Sequence, residues 1–303
     1  ALVCSAVSEH VENAGVHSGD ATLVLPPQRT YLETMRRIRS ITTEVARSMN
    51  ITGPFNIQFL AKDNRVMVIE CNLRASRSFP FVSKVLKRNF IDAATRVMMG
   101  RPVEMDERSH LDLDYVGVKA PHFSFTRLEG ADPTLGVEMA STGEVACLGW
   151  DFDEAFLKAL IAVGFKLPIR SALMSTGPIE SKAAFQDSAR RLVKLGVELY
   201  ATQGTADFLA DKGIETTVLH WPLDGTQPNA VDFIKEGRLD LVINIPKHFQ
   251  KEELTNDYII RRTAVDFGVP LITNRQLAER LTEALERVPI DQLKVRPWRE
   301  YGG

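Results

Sequence analysis

The sequence predicts an α/β protein in two parts, an antiparallel sheet with helices followed by a parallel sheet covered by helices. Residues 54–84 have the pattern of a β-hairpin that runs into an arginine-rich segment. From residue 171 onward, short apolar strands alternate regularly with helical patterns, which is typical of a parallel sheet. The change of pattern falls in residues 166–170. We therefore predict one domain at residues 1–168 and a second at 169–303.

Composition excludes several classes of protein. The 303 residues are 44% hydrophobic and 25% charged, which suits a globular chain of about two domains. The formal net charge of -2 does not favour binding to nucleic acid. Three scattered cysteines are too few for a disulfide framework or a zinc site and fit a reducing compartment. No apolar run is long enough to span a membrane, and the start does not have the pattern of a signal peptide.

The hairpin is the most informative stretch. Phe55–Leu60 is the first predicted strand, residues 62–65 form a polar turn, and Val66–Cys71 is the return strand. Side chains alternate between the faces of a strand. Alternation along the return strand therefore predicts that Val68 shares a face with Glu70.

Oxygen-bearing side chains converge on one face of this hairpin. Gln58 is predicted to lie opposite Glu70, with Asn72 one pleat further along, and Arg74 and Arg77 follow. One carboxylate with amide oxygens suits Mg²⁺, which completes its shell with phosphate and water. Two arginines can hold phosphate oxygens by forked hydrogen bonds. The pattern favours a site for magnesium and nucleotide phosphates; the alternative is an ordinary polar face turned to solvent.

Residues 53–58 and 70–84 resemble the metal-binding part of an ATP-grasp fold. More narrowly, they resemble the second synthetase half of the carbamoyl-phosphate synthetase large subunit. The resemblance implies ATP with Mg²⁺ or Mn²⁺ held by Gln58, Glu70 and Asn72, of which Gln58 and Glu70 also count as nucleotide-binding. It further implies catalytic roles for Arg74 and Arg77 at the phosphate or the carbamate.

A loop rich in glycine, histidine, serine and aspartate covers residues 8–20. Such a loop allows the backbone to approach a ligand. The alternative is a plain turn in which His17 is satisfied by hydrogen bonds. The family resemblance extends to this loop and implies that four consecutive residues contact ATP, namely Gly15, Val16, His17 and Ser18.

The other elements of the first part are scaffold. A strand is predicted at residues 1–7, and an amphipathic helix at 28–49 with Thr30 as its N-cap. Further predicted elements are helices at 81–86, 90–99 and 152–163 and a strand at 115–121. Glu138 and Glu144 are expected to lie in solvent and receive no catalytic role.

The second part has predicted strands at 171–175, 198–201, 216–219, 239–243 and 270–272. Its predicted helices cover 182–195, 206–212, 231–236, 257–267 and 276–287. In open parallel sheets, ligands bind beyond the carboxyl ends of the strands. Polar residues collect there, and a small acidic metabolite is the expected ligand; they are Thr202, Gln203, Gly204, Thr205, Asn244, Lys247, Thr273 and Asn274.

Residues 201–206, 242–246 and 260–264 resemble the methylglyoxal-synthase-like regulatory domain of the same subunit, a Rossmann-like fold. His220-Trp221-Pro222 is similar to the ammonia-using enzymes that N-acetylglutamate activates. That resemblance implies effector contacts by Thr202, Thr205, Trp221 and Asn244. Lys247 and Asp257 are further effector-binding candidates, at positions where asparagine would be expected. The segment at 245–248 lacks the threonines and serines typical of domains that bind uridine nucleotides.

The resemblance covers essentially the whole chain and implies part of a carbamoyl-phosphate synthetase, a ligase that phosphorylates carbamate with ATP. Implied partners are bicarbonate, ammonia, an effector such as N-acetylglutamate, an upstream synthetase half and a glutaminase-like subunit or domain. Because the lid and adenine pocket lie upstream in the family, we expect these 303 residues to be inactive by themselves. Arginine or urea synthesis in the mitochondrial matrix is favoured over a cytoplasmic location. The alternatives are a regulatory module without catalysis and a pyrimidine-pathway enzyme controlled by uridine nucleotides.

Overall fold

A computed structural model of the chain describes residues 2–105, 109–246 and 251–302, and the side chains of residues 251–254 are left aside. The described residues contain a four-stranded antiparallel sheet, a two-stranded hairpin and a five-stranded parallel sheet. The predicted fold class, antiparallel sheet with helices followed by a parallel α/β sheet, is confirmed.

The antiparallel sheet has the strand order β1-β2-β5-β6, and the hairpin is β3-β4. The strands are β1 Glu9–His10, β2 Leu23–Leu25, β3 Asn56–Lys62, β4 Arg65–Asn72, β5 Val116–His122 and β6 Gly143–Gly149. The strand predicted at residues 1–7 is wrong, because residues 2–7 pair with no strand and the first pairing begins at Glu9. An apolar run without a paired neighbour lacks the hydrogen bonds that define a strand.

Four α-helices accompany this sheet among the described residues: α1 Leu32–Ser48, α2 Ser78–Val85, α3 Phe90–Met98 and α4 Phe152–Ala162. The predicted cap of α1 is wrong. Tyr31 occupies the N-cap position and makes no capping bond. Thr30 instead donates its hydroxyl to Glu9 Oε2 at 2.7 Å, so that it fastens β1 to the chain before the helix.

The parallel sheet has the order β11-β10-β7-β8-β9, and the predicted alternation is confirmed. Its strands are β7 Ser171–Thr176, β8 Glu198–Ala201, β9 Thr217–Val218, β10 Leu241–Ile245 and β11 Leu271–Ile272. Its described helices are α5 Ile179–Lys194, α6 Gln203–Ala210, α7 Ala230–Lys235, α8 Lys251–Asp266 and α9 Arg275–Arg287. Strand boundaries differ from prediction by one or two residues, because backbone pairing rather than hydrophobicity decides where a strand ends.

Helix α4 joins the two parts. It packs on β5 and β6 on one side and against α9 on the other. The largest hydrophobic cluster therefore contains residues of both parts, such as Val118 and Phe156 together with Leu192 and Leu281. Because the core is shared, the division at residue 168 stays a prediction.

Candidate functional site

The hairpin has the predicted register at its functional end. Gln58 pairs with Glu70, and Asn56 pairs with Asn72. Asp63 and Asn64 form the turn with φ of 51° and 60°, the left-handed backbone that a two-residue hairpin turn requires. Because these pairs lie on one face, the convergence of oxygen-bearing side chains follows from the backbone itself.

A β-bulge changes the faces beyond this end. The register shifts between Gln58 and Phe59, so that Phe59 pairs with Val68 and Ile69 is the extra residue. The prediction that Val68 shares the face of Glu70 is therefore wrong. The sequence has no glycine at this position to signal the bulge.

The two predicted nucleotide-binding segments meet through a direct hydrogen bond. Gln58 Nε2 donates to Ser18 Oγ at 2.6 Å, across 40 residues of sequence. On the other strand, Asn72 Nδ2 donates to Glu70 Oε1 at 2.8 Å. Both amide side chains donate through nitrogen, which leaves their oxygens as the atoms that suit a cation. All four residues line one open cavity of about 1900 Å³.

The donor set fits one hard cation with phosphate and water in the rest of its shell. Such a site needs only one or two carboxylates, and here Glu70 is the single one in the predicted set. Among residues 2–105, 109–246 and 251–302, no three or more histidine, cysteine, aspartate or glutamate side chains form a metal-binding group.

The loop at residues 15–20 is held by backbone contacts. Gly15 has φ of 104°, a conformation that side-chain-bearing residues rarely adopt. The His17 N–H donates to Gly136 O at 2.8 Å, and His17 Nδ1 accepts from the Gly19 N–H at 3.0 Å. His17 therefore stabilises its own turn, as the plainer interpretation expected, while the loop still lines the cavity together with Val16.

Asp20 connects this loop to the irregular segment that precedes β6. Its side chain is fully buried and accepts from the Ala140 N–H at 2.8 Å and the Ser141 N–H at 2.9 Å. Ser141 Oγ returns a hydrogen bond to Gly19 O at 3.1 Å. These three hydrogen bonds fix the distance between the loop and residues 140–141.

The two predicted arginines differ in their surroundings. Arg77 Nη1 donates to both Ser141 O and Ser141 Oγ at 3.1 Å, so it is tied to the same segment before β6 as the loop. Arg74 is exposed at the rim of the cavity and donates only to the neighbouring Ala75 O among the described contacts. Arg77 is thus preorganised, whereas Arg74 is available to move with a ligand.

The expectation for Glu144 is wrong. Its side chain is 21% exposed, and its Oε2 lies 4.0 Å from Arg77 Nη2 and 4.0 Å from Lys119 Nζ. Glu144 lines the cavity rather than lying in solvent. Glu138 is exposed, as expected. The tertiary structure separates two glutamates that have similar surroundings in sequence.

Lys119 is a functional candidate that sequence reasoning missed. It lies on β5 with 1% of its side chain exposed and donates to Gly19 O at 3.0 Å. Burial lowers the pKa of Lys119 to about 8, and the nearby carboxylate of Glu144 opposes that shift. A lysine inside an otherwise apolar strand was the available signal, because a buried lysine needs a specific partner.

Two further titratable groups have shifted pKa values, the buried Glu12 and the half-buried His10 on β1. Burial raises the pKa of Glu12 to about 7, although the Thr22 N–H donates to its Oε2 at 2.7 Å. Burial lowers the pKa of His10 to about 4, and the positive charge of Lys119 acts in the same direction.

The predicted effector residues form a partly connected set at the carboxyl end of the parallel sheet. Asp257 Oδ1 accepts from Ser175 Oγ at 3.1 Å and from Asn244 Nδ2 at 2.8 Å. Thr202 Oγ1 donates to Ser175 Oγ at 3.3 Å. The strand ends of β7, β8 and β10 together with α8 thus bring Thr202, Asn244 and Asp257 into one buried network.

Two other effector candidates lie outside this network. Thr205 is buried one turn away, and the Thr176 N–H donates to its Oγ1 at 3.1 Å. Trp221 is half-buried against the hydrophobic cluster around Leu219. Lys247 lies outside the described residues.

The network continues into the first part of the chain. Arg261 is buried, and its Nη1 donates to Asn244 Oδ1 at 2.9 Å. Its Nε and Nη2 form a bidentate ion pair with Asp132 at 2.8 and 2.5 Å. A bidentate pair fixes orientation as well as distance, so residue 132 is held firmly against α8.

Two protein families match this chain. Residues 3–106 match the carbamoyl-phosphate synthase L chain, ATP binding domain, and residues 184–273 match the MGS-like domain. The chain belongs to the carbamoyl-phosphate synthase large-chain family. It carries an ATP-binding region and an MGS-like domain, as the sequence predicts.

Relatives of several kinds match along nearly the whole chain. Multifunctional protein pyrABCN of Emericella nidulans is 50% identical over 93% of this chain and 13% of its own length. Carbamoyl-phosphate synthase [ammonia], mitochondrial, is 46% identical in Aquarana catesbeiana over 100% of this chain and 21% of that protein. The human protein of that name is 45% identical over 99% of this chain and 20% of that protein.

The chain thus spans between an eighth and about a fifth of the length of these curated relatives. Ammonia-named and multifunctional proteins match with similar identity, so the narrower prediction of an ammonia-type enzyme stays a prediction. No helix within the described part of the chain is long and apolar enough to cross a membrane.

Proposed function

We propose that this chain supplies the carbamate-phosphorylating site and the effector domain of a carbamoyl-phosphate synthase. One observation carries the proposal. The hydrogen bond from Gln58 to Ser18 joins the nucleotide loop to the hairpin that bears Glu70 and Asn72. In phosphoryl transfer the protein mainly positions the reactants and stabilises charge, and this arrangement suits that task.

Each side chain has a distinct part in this proposal. The loop at residues 15–18 lies along the nucleotide, and its backbone is fixed by Gly136 and Asp20. Arg77 stabilises charge on the transferring phosphoryl group, because its anchor on Ser141 removes the cost of ordering it during the reaction. Arg74 closes on the phosphate or the carbamate from the rim.

Gln58, Glu70 and Asn72 would hold Mg²⁺ or Mn²⁺, which when bound neutralises phosphate charge. Glu144 lies 4.0 Å from both Arg77 and Lys119 and offsets part of their positive charge, so that the three groups together keep a positive charge that favours anions. Lys119 holds the turn at Gly19 from beneath. This arrangement of charges suits the binding of anionic phosphate groups.

The test uses the full-length protein that carries this chain. Transfer is reversible, so ATP formation from ADP and carbamoyl phosphate isolates this site from earlier steps. Glu70→Gln and Arg77→Gln should each lower the rate on the order of a hundredfold. The matched controls Glu44→Gln and Arg190→Gln, both on exposed helix surfaces, should leave it unchanged. Normal rates in the two site variants would refute the assignment.

We further propose that a small anionic effector binds at the carboxyl end of the parallel sheet, near Thr202, Thr205 and Asn244. Calorimetric titration with N-acetylglutamate, and separately with a uridine nucleotide, identifies the chemical class of the effector. Binding of N-acetylglutamate that is lost in Thr202→Ala or Trp221→Ala supports an ammonia-type enzyme linked to arginine or urea synthesis. Uridine-nucleotide binding places the protein in pyrimidine synthesis instead. If neither binds, the effector assignment fails and the phosphoryl-transfer proposal stands by itself.

The remaining parts of the proposal concern the whole protein. The family implies bicarbonate and ammonia as substrates. It also implies an upstream synthetase half and a glutaminase-like subunit or domain. A mitochondrial location is proposed because two relatives carry that word in their names. Imaging of the tagged full-length protein tests the location, and a cytoplasmic signal would contradict it.

A further inference from the structure

The last segment of the described chain crosses back from the parallel sheet to the unit that bears the nucleotide loop. We call residues 289–302 the C-terminal clasp. It follows α9 directly and contains two short 3₁₀ turns at 290–292 and 298–300. Its middle, residues 294–297, is exposed, and Val295 is 100% exposed. The clasp therefore has no core of its own and is held at its ends.

Tyr301 is the anchor of the clasp. Its side chain is 2% exposed and joins the hydrophobic cluster beneath the nucleotide loop. The hydroxyl donates to Leu148 O at 3.1 Å and accepts from Lys158 Nζ at 3.2 Å. The ring lies 5.0 Å from Trp150 and 5.8 Å from Tyr115 between centroids. A buried aromatic residue with its hydroxyl satisfied is a specific anchor rather than a chance contact.

The clasp also holds the C-terminal end of α2. Trp298 Nε1 donates to Lys84 O at 2.9 Å. Lys87 Nζ donates to Tyr301 O and to Gly302 O. Lys87 has φ of 52°, which is unusual for a residue with a side chain. Gly302 borders the same cavity as Glu70 and Arg77.

Helix α2 transmits this restraint to the candidate site. Arg77 is its N-cap, and the eight residues of α2 span roughly 12 Å. Near the other end, Val85 packs so closely on β5 that a Cβ at Gly117 would lie 2.4 Å from Val85 Cγ2. The Tyr115 hydroxyl also donates to Val85 O. A short rigid helix that is fixed at one end determines where its other end lies.

We propose that the clasp sets the position of α2, and that Tyr301 is a positioning residue that acts through Arg77. The inference rests on the proposed function of this site. The clasp continues the chain from α9 of the effector domain and reaches the end of α2 through hydrogen bonds. Its side-chain anchor, Tyr301, lies in the antiparallel unit, whereas residues 294–297 are exposed.

The test is ATP formation from ADP and carbamoyl phosphate by the full-length protein. Tyr301→Ala should lower kcat on the order of tenfold or more and raise KM for carbamoyl phosphate. KM for ADP should stay within about twofold, because the nucleotide loop is held separately by Asp20. Tyr301→Phe keeps the ring and should restore kcat to within a few-fold of the natural protein.

The stability control is Phe233→Ala. Phe233 is buried in α7 of the parallel-sheet unit, where it packs on Tyr200. Its loss should lower the melting temperature and leave both KM values unchanged. If Tyr301→Ala behaves in the same way, with only the active fraction reduced, Tyr301 is merely structural and the proposal is wrong.

Hydrogen exchange separates failure of this inference from failure of the proposed function. In Tyr301→Ala, amides of residues 79–85 should exchange on the order of tenfold faster, while those of β7 and β10 stay protected. If the natural protein forms no ATP, the proposed function fails and exchange alone decides. Unchanged exchange in α2 would then refute the proposal that the clasp sets the position of α2.

Discussion

Glu12→Gln tests whether the buried carboxyl group that follows β1 titrates as its burial requires. Glu12 is 4% exposed, and one of its oxygens has no hydrogen-bond partner within the described part of the chain. Burial raises its pKa from 4.5 to about 7. Glutamine retains the acceptor for the Thr22 N–H and cannot ionise, so the substitution removes the charge while preserving the packing.

The direction of the effect follows from proton binding. Between pH 4.5 and about 7, the folded protein keeps a proton on Glu12 that the unfolded chain has released. The free energy of unfolding therefore falls as pH rises through that range. His10, with its pKa lowered from 6.5 to about 4, has the opposite effect between those two values. From pH 4.5 to 6.5, the two slopes nearly cancel in the natural protein.

Each of these two pKa shifts changes the free energy of unfolding by on the order of 3 kcal/mol, since one pKa unit is worth about 1.4 kcal/mol. Without the glutamate, His10 acts unopposed. The variant should match the natural protein near pH 4.5 and gain stability as pH rises to 6.5. By pH 8 it should be more stable by up to about 3 kcal/mol. His10→Gln should show the opposite slope, because Glu12 then acts unopposed.

Urea unfolding at several pH values, followed by tryptophan fluorescence, measures these slopes. Trp150 precedes α4 and packs on Tyr301, so its share of the signal reports on the antiparallel unit, whereas Trp221 reports on the parallel-sheet unit. The exposed residue Glu44 provides the control, and Glu44→Gln should leave the pH profile unchanged. A Glu12→Gln profile parallel to that of the natural protein would show that Glu12 is not buried as a neutral acid.

Two further variants test the packing and the contact between the two parts. Gly117→Ala places a methyl 2.4 Å from Val85 Cγ2 and should lower the free energy of unfolding, measured with urea, by about 1–3 kcal/mol. Gly136→Ala is the control, because its surroundings are open, and it should leave the stability almost unchanged. Equal losses of stability in the two variants would contradict this packing. Asp132→Asn leaves the buried Arg261 without its counter-charge and should cost about 2–3 kcal/mol. If thermal unfolding shows no loss of stability in Asp132→Asn, the ion pair contributes nothing to the stability of the protein.

Local pattern predicted much of the candidate site. The hairpin turn and the pairing of Gln58 with Glu70 depend on residues close together in sequence, which alternation and turn chemistry specify. The bulge at Ile69 was not predicted, because it leaves the alternation of residue types almost unchanged. The strand expected at residues 1–7 was wrong because strand formation requires a partner that pattern cannot supply.

The sequence by itself determined the fold class and the family, because periodicity, turn residues and long motifs are carried by the order of residues. Only the tertiary structure decided which polar groups meet. It placed Lys119 and Glu144 in the cavity and Arg261 against Asp132, and it brought Tyr301 into the cluster around Ala21 and Tyr115. These contacts join residues far apart in sequence, and burial rather than local pattern sets their charge and their geometry.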